Sequence, residues 1–453
     1  MEKYNTETSI RFTMQKRLCS LVCSVFLVCI CYQMKLFEFK GIQAIYDMDM
    51  VGETYFKEMF QRISNDTDTF VYSAYFDYRA GHIRVIGVSA LKNATAVYCI
   101  LRYNNKSPSY KYLRGHIMVI PDHHGRKYKA VYVICQLNGH KPPSTLTISK
   151  NKDFRSDDNI LPVQVIPTTF PTKRKFTVCL SPLHNNFTKN MQLLEWLEMT
   201  MLLSVDKVNV YVHSCPSDVM TRLQTYQSNG FVTIINWPLP KYLCKTYLLH
   251  YCGQLAALND CLYRTKGYSK YIAVMDIDEF IIPQKQEDLT WSDILHRLPS
   301  ENVYLFRHVI FIRNKSQEKI EGGLITQANT FRHKFVFKTF ERSKYIAETE
   351  NVETLGIHFV WTLNGSHYTV DPSIGLVHHY RWNGVPGMPS IKNNTVQHQV
   401  AKKYSHELRK RIYLQLNNTN CSRILKLKTN NTYSTRCHDY LSIGTGTFKQ
   451  DRE

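Results

Sequence analysis

The stretch YIAVMDIDEFIIP (271–283) sets three carboxylates, Asp276, Asp278 and Glu279, directly behind an apolar run. YIAVM before the charges and FIIP after them read as buried strand, since a strand covered on both faces is continuously apolar rather than alternating. A solvated acidic loop has no reason to be bracketed in this way. Two residues apart in extended backbone, Asp276 and Asp278 are expected to point to one side, with Ile277 pointing away. Two converging carboxylates repel unless a cation or a proton lies between them. Oxygen donors in an open, hydrated arrangement suit Mg2+ or Mn2+, and either ion would also bind a diphosphate.

The elements before this stretch give it a place. FTVCLSPLH (176–184) reads as a buried strand, and NMQLLEWLEMTMLLS (190–204) has apolar residues at helical spacing. KVNVYVHS (207–214) is a strand, 217–230 a helix stopped by Gly230, and FVTIINW (231–237) a third strand. CGQLAALNDCLYRTKG (252–267) is a helix leading into the strand KYIAVM (270–275). Strands alternating with helices predict an α/β fold with a parallel sheet. In such sheets ligands lie in the crevice outside the carboxyl ends of the strands, which is where DIDEF begins.

Ahead of this region the texture differs. Residues 35–69 read as a stem. From 70 to 150, FVYSAYFDYR, HIRVIGVSAL, TAVYCILRY, HIMVIP, KAVYVICQL and TLTISK alternate with Gly, Asn, Pro or Asp clusters, predicting a small β-sandwich-like domain. Cys99 and Cys135 fall inside two of these strands, as a bridge or as two buried thiols. Residues 151–172 read as a linker, with Pro162, Pro167 and Pro171 interrupting any regular element.

The compartment is read from residues 18–34, LCSLVCSVFLVCICYQM, an uncharged segment between Lys16-Arg17 and Lys35. As a helix it spans roughly 25 Å, adequate for a thin bilayer. Lys3, Arg11, Lys16 and Arg17 precede it, so the positive-inside rule keeps residues 1–17 cytosolic and makes 18–34 a signal-anchor. No A-x-A-like site follows, which favours an anchor over a cleaved leader. Ten N-x-S/T acceptors (Asn65, Asn93, Asn105, Asn186, Asn314, Asn364, Asn393, Asn417, Asn420 and Asn430) suit a lumenal glycoprotein. The nine cysteines beyond the apolar segment would meet an oxidising space, and no C-x-x-C or Cys/His finger spacing points to structural zinc. The net charge of +20 is scattered in short clusters, and no motif for nucleic acid accompanies it.

GQLAALNDCLYR…KYIAVMDIDEFIIP, preceded by SPLHNN…LLEWLEMTMLLSVDKVNVYVHS and followed by GIHFVW and VHHYR, resembles glycosyltransferase family 92 over about residues 174–415. The β-rich region is similar to the module ahead of the catalytic domain in such proteins. The resemblance implies a GT-A nucleotide-diphospho-sugar transferase domain over 173–415, followed by a tail over 416–453. It also implies a D-x-D metal site and inverting transfer of galactose from UDP-galactose onto a glycan or glycoprotein. With the anchor at 18–34, the expected setting is a single-pass type II membrane protein of the Golgi with its catalytic domain lumenal. Asp276 and Asp278 match the D-x-D pair, implied to contact the donor ribose and to hold Mn2+ against the diphosphate. A later histidine is implied to complete the metal shell; VHHYR offers His378 and His379, with His379 preferred. Pro182, in SPLH, is expected beside the uridine by analogy of fold.

Other residues stay open at this stage. Glu279 is expected to anchor the strand end to a basic neighbour. Asn259 and Asp260 match the family pattern, but an Asp260–Arg264 pair at i, i+4 explains them equally well. An inverting displacement needs a general base; Asp371 is a candidate beside Glu318, Glu321 and Glu350, and the sequence does not separate them. Two alternatives stand: the same fold with another UDP-sugar, or a non-catalytic lumenal glycan-binding protein. VYVHSC (210–215), in place of the more usual aromatic-Asp-Asn ending, keeps the latter alive.

Overall fold

A computed structural model describes residues 59–417, except 65–66, 92–94, 104–108, 153–158, 169–173, 385–387 and 389–393. The expected anchor at 18–34 and most of the expected tail lie outside the described residues, among which no helix is long and apolar enough to cross a membrane.

The first strands are β1 (Gln61–Arg62), β2 (Thr69–Asp77), β3 (His82–Ser89), β4 (Thr95–Tyr103), β5 (Ser109–Val119), β6 (Lys129–Gln136), β7 (Thr145–Ser149) and β8 (Leu161–Val165). Pairing runs β2-β3-β6-β5-β4-β7-β8, and β8 returns to β2 in parallel. The expected sandwich is therefore a closed barrel, and closure removes the open edges a sandwich would leave. The strand that closes it lies inside the segment read as a linker. Pro162 is tolerated because β8 is short, joined to β7 over two residue pairs and to β2 over three. Val71, Ala74, Ile83, Val85, Val131 and Val133 fill the interior. The Cys99–Cys135 disulfide crosses that interior past Gly115, where a Cβ would come within 2.5 Å of the Cys99 sulfur.

The α/β part begins with β9 (Arg174–Leu183), α1 (Asn190–Leu202), β10 (Lys207–Val212), α2 (Ser217–Ser228), β11 (Val232–Asn236), α3 (Gln254–Thr265) and β12 (Ser269–Met275). It continues through β13 (Glu279–Pro283), α4 (Trp291–His296), β14 (Val303–Phe306), β15 (His308–Ile312), α5 (Lys315–Ile320), α6 (Ile325–Ala328) and β16 (Phe331–His333). Last come β17 (Lys344–Glu348), β18 (Val352–Leu355), β19 (Val360–Leu363), β20 (His367–Thr369), β21 (Gly375–Arg381), β22 (Thr395–Gln397) and α7 (Ser405–Leu416). One sheet has the order β11-β10-β9-β12-β17-β14-β20, its first four strands parallel. The chain moves outward from β9 to β11 and then returns to set β12 on the other side of β9. That reversal opens a crevice at the carboxyl ends of β9 and β12. A second sheet, β13-β21-β15-β16-β22, starts one turn after β12 ends.

Helix α3 is buried on nearly every side, which a helix lying on the surface of a sheet would not be. The reason is the barrel. Tyr72, Tyr75 and Tyr132 on its outer face share one core with Tyr211, Trp237, Ala256 and Leu258. Asp260, fully buried in α3, accepts from Ser73 (2.5 Å) and Tyr75 (2.7 Å) of the barrel, from Tyr211 (2.6 Å) and from Arg264 (2.6 Å). Asn259 accepts from Tyr132 of the barrel (2.6 Å) and from the Leu355 backbone (2.9 Å). The i, i+4 pair is present, but it is one part of a latch joining barrel to α/β domain. Asp260→Asn should cost about 3–5 kcal/mol, because it leaves Arg264 without its buried counter-charge. Denaturant unfolding checks this, and a loss under about 1 kcal/mol would mean that the latch is dispensable.

Candidate active site

Strand β12 ends at Met275 in one sheet and β13 begins at Glu279 in the other, so the DIDE tetrapeptide is the corner between them. The Glu279 amide donates to the Asp276 carbonyl (3.1 Å), closing a β-turn with Ile277 and Asp278 at its centre. The acidic cluster is thus a turn rather than the extended backbone expected, and its carboxylates separate into different environments.

Asp276 is held from several sides. Its Oδ1 accepts from the Ser181 hydroxyl and from Gln254 Nε2 (3.1 Å), and its Oδ2 accepts from Lys344 Nζ (2.9 Å). Burial alone would raise this carboxyl, but Lys344 and Ser181 hold it well below the usual range. Glu279 is buried beneath it, 3.1 Å from the same ammonium. Burial pushes the Glu279 carboxyl up to about 7, against the pull of Lys344. Lys344 is itself fully buried; burial would lower it, yet Asp276 and Glu279 raise it above its ordinary value. The expected basic neighbour of Glu279 therefore exists, and it arrives from the first residue of β17.

Asp278 faces His379. Pairing of β13 with β21 sets Glu279 opposite His379, whose Nε2 lies 3.4 Å from Asp278 Oδ2 and whose Nδ1 lies 3.3 Å from Glu279 Oε1. His308 Nδ1 is 2.5 Å from the Arg342 carbonyl, which can only accept, so His308 carries its proton there. Burial, then His379, holds His308 well below its normal pKa, hence neutral. Its Nε2 must then accept from His379 Nδ1 at 2.8 Å. This relay fixes His379 as the Nδ1–H tautomer when neutral and leaves Nε2 as the ligating atom toward Asp278. Burial works to lower His379, but Asp278 and Glu279 raise it above its ordinary value.

A divalent ion fits the Asp278–His379 pair, since cis ligands at about 2.1 Å from an octahedral ion lie about 3 Å apart. Glu279, His308 and His379 also bring ligand atoms within 4.8 Å of one another. There, however, the two imidazoles bond each other and Glu279 belongs to Lys344. Asp276 has one oxygen engaged twice and the other on Lys344, so it borders the pair rather than facing His379. His378 points to the opposite face, 3.1 Å from Gln284 Nε2, and is no part of the site.

Other expectations move as well. Pro182 is buried in β9, and its neighbour Ser181 makes the polar contact with Asp276. Asp371 accepts from the Ser373 amide in the turn before Gly375, which pairs with Pro283 at the opposite end of β21 from His379. Glu318 is tied to Arg313 and Asn329, Glu321 to Lys402 and Arg409, and Glu350 to Arg79 of the barrel. All four carboxylates considered as base are thus committed elsewhere. His213 of VYVHSC contacts the Leu239 carbonyl at 3.0 Å, a structural role. Around Asp276, buried Gln254 Oε1, His250 Nδ1 and His358 Nδ1 have no partner within the protein. Unsatisfied buried polar atoms beside a crevice mark where a polar ligand would complete them. Burial, then Lys344, pushes His358 down to about 3, leaving a neutral ring.

The family model described as Glycosyltransferase family 92 matches residues 174–420, which contain this entire corner. The chain belongs to glycosyltransferase family 92. Two Caenorhabditis elegans relatives are the beta-1,4-galactosyltransferase galt-1, 26% identical over 46% of this chain and 48% of its own, and glycosyltransferase family 92 protein F13G3.3, 24% identical over 40% and 37%. The match to this family 92 protein thus spans about half the length of the first relative and less of the second. Among solved structures it is similar to S. aureus TarS 1-349 in complex with UDP-GlcNAc, at 12% identity over 54% of this chain and 67% of that one, TM-score 0.28. Another is glucosyl-3-phosphoglycerate synthase from Mycobacterium tuberculosis in complex with Mn2+, uridine-diphosphate and phosphoglyceric acid, at 15% over 39% and 56%, TM-score 0.21. At those scores the likenesses carry no functional weight.

Ser181, Gln254, His308, Lys344 and His358 were not anticipated. His308 and Lys344 open strands β15 and β17, where the local sequence reads as core or surface, and only tertiary pairing brings them together. The relay yields a prediction. His308→Gln should weaken Mn2+ binding by about 10–100-fold with the fold retained, because His379 loses the partner that orients it. Mn2+ titration by calorimetry, beside a melting curve, checks this; unchanged affinity would show that the relay does not set the ligand.

Proposed function

We propose that this protein is a metal-dependent, inverting glycosyltransferase that moves galactose from UDP-galactose onto a glycan or glycoprotein acceptor in the secretory pathway. One observation carries the reading: the acidic corner lies at the carboxyl ends of β9 and β12, where the strand order reverses, with Asp278 Oδ2 and His379 Nε2 facing each other. The galactose assignment rests on the likeness to the nematode galactosyltransferase. Another UDP-sugar on the same fold is the second reading, because no sugar-ring contact is fixed by this corner.

A cation, Mn2+ or Mg2+, would be held by Asp278 and His379 beside Asp276, and would neutralise charge developing on the departing diphosphate. The remaining tasks fall to the chain. Ser181, Gln254 and Lys344 orient Asp276 toward the donor, and Gln254 Oε1 and His250 Nδ1 offer polar contacts to the nucleotide. Lys344 keeps the corner closed against its own carboxylate repulsion.

The defining test is UDP release by the 35–453 fragment with a panel of UDP-sugars and Mn2+. Release should be fastest with UDP-galactose and should stop on chelation; no release with any donor would sink the reading. Asp278→Asn should then cut transfer by about a thousandfold, about 4 kcal/mol of barrier, with an unchanged melting temperature. Near-normal rates in a folded variant would remove Asp278 from the metal site.

The same reading places the catalytic domain in the Golgi lumen, as a type II protein anchored by 18–34. Ten sequons and the bridges Cys99–Cys135, Cys179–Cys261 and Cys244–Cys252 support an oxidising, glycosylating compartment. Protease protection in sealed microsomes and a glycosidase mobility shift are expected. Full accessibility with no shift would overturn the topology.

A further inference from the structure

Strands β18 and β19 form a hairpin whose tip, Gly356–Phe359, reaches the candidate site. Asp122 of the barrel accepts from the Ile357 amide at 3.0 Å and fixes that tip. His358 lies on it, close enough to Asp276 and Lys344 to feel both charges. Just beyond it stand three aromatic rings. Phe359 and Trp361 have centroids 4.6 Å apart, and Phe340 meets Phe359 edge to face at 5.5 Å. Phe340 and Trp361 are 46% and 39% exposed, so both rings are open to solvent beside a buried polar centre.

These rings are positioned rather than loose. The Trp361 indole lies on Gly356, where a Cβ would come within 2.7 Å of its Cδ1 and Nε1. Phe340 has φ +70°, a conformation that a bulky side chain adopts only where its surroundings impose it. Its amide is held by Ser343 Oγ at 3.1 Å, one residue before Lys344. Trp361 is three residues from His358, so their Cα atoms lie within about 11 Å, and four residues from Phe340 to Lys344 bound that separation at about 14 Å. Both rings therefore stand on the same two segments that carry His358 and Lys344 to the corner.

We propose that Phe340, Phe359 and Trp361 form the stacking platform for a sugar ring of the acceptor glycan. The proposal rests on the transferase reading above and names the acceptor side of that same site. A pyranose has an apolar C–H face and a hydroxyl-bearing rim. Exposed aromatic faces serve the first, and His367, 5.6 Å from the Phe340 ring, can serve the second. The donor side is carried by other residues: its unsatisfied Gln254 Oε1 and its Ser181 contact lie on α3 and β9 around Asp276. An exposed aromatic cluster on a hairpin that also carries a site histidine marks a ligand surface rather than ordinary exterior.

The test uses the full-length protein in detergent, with Phe340→Ala, Trp361→Ala and the conservative Trp361→Tyr. Binding is read on a printed array of defined N- and O-linked glycans, without donor. The wild type should bind a subset, each Ala variant should lose that binding at least tenfold, and Trp361→Tyr should keep most of it. In turnover, the Ala variants should raise acceptor KM at least tenfold while donor KM and acceptor-free UDP release stay within twofold. No array binding by the wild type, or equal binding by both Ala variants, overturns the platform. Array binding that the Ala variants lose, in a protein that releases no UDP with any donor, would instead sink the transferase reading and uphold the platform.

Discussion

A single buried ammonium holds this molecule's centre together. Lys344 Nζ lies between Asp276 of one sheet's end and Glu279 of the next sheet's beginning, at 2.9 and 3.1 Å. Without it, two carboxylates three residues apart in a closed turn would face each other with no counter-charge between them. The penalty for burying the lysine is offset by having two counter-charges. Because Asp276 and Glu279 bound the turn, the same ammonium ties the end of one sheet to the start of the next. The Asp278–His379 pair depends on that corner, since His379 is delivered by the partner strand of β13.

The barrel belongs to the same mechanical system. Asp260 and Asn259 draw barrel tyrosines onto α3, and α3 begins with Gln254, which touches Asp276. Gly253, at φ +80°, allows the chain to enter that helix with Gln254 in its first turn. From the other side, Asp122 on a barrel loop holds the hairpin tip that carries His358. A domain that reads as a separate module thus grips two of the segments that border the site.

The parallel strands β9 to β12 were legible because each is an apolar run ended by turn residues, and a fully buried strand can hardly be written otherwise. Placement of the acidic cluster followed from that grammar. Closure of the barrel was not legible, because it depends on a proline-containing strand pairing with a partner more than eighty residues earlier. The turn at Asp276 was missed for a related reason: local pattern extends the strand through DIDEF, while the change of sheet is decided by what β13 pairs with. Lys344 stands 68 residues from Asp276, and nothing in SKYIAE distinguishes a buried counter-ion from a surface lysine. The sequence preferred His379 over His378; the register places His379 opposite Glu279, and alternation along β21 turns His378 to the other face.

The corner itself carries an excess of negative charge. With Glu279 ionised, three carboxylates meet one ammonium, and two negative charges remain uncompensated in a half-buried turn. Two groups at the corner are shifted: burial pushes Glu279 up to about 7, and Asp278 and Glu279 raise His379 against its burial. The first shift is the cost of burying a carboxylate, the second the pull of two neighbouring carboxylates on an imidazole. A divalent cation at the Asp278–His379 pair would compete with a proton for His379 Nε2 and favour the ionised form of Glu279. The His308 relay is arranged for that exchange, since it leaves the Nδ1 proton in place and frees the nitrogen that faces Asp278.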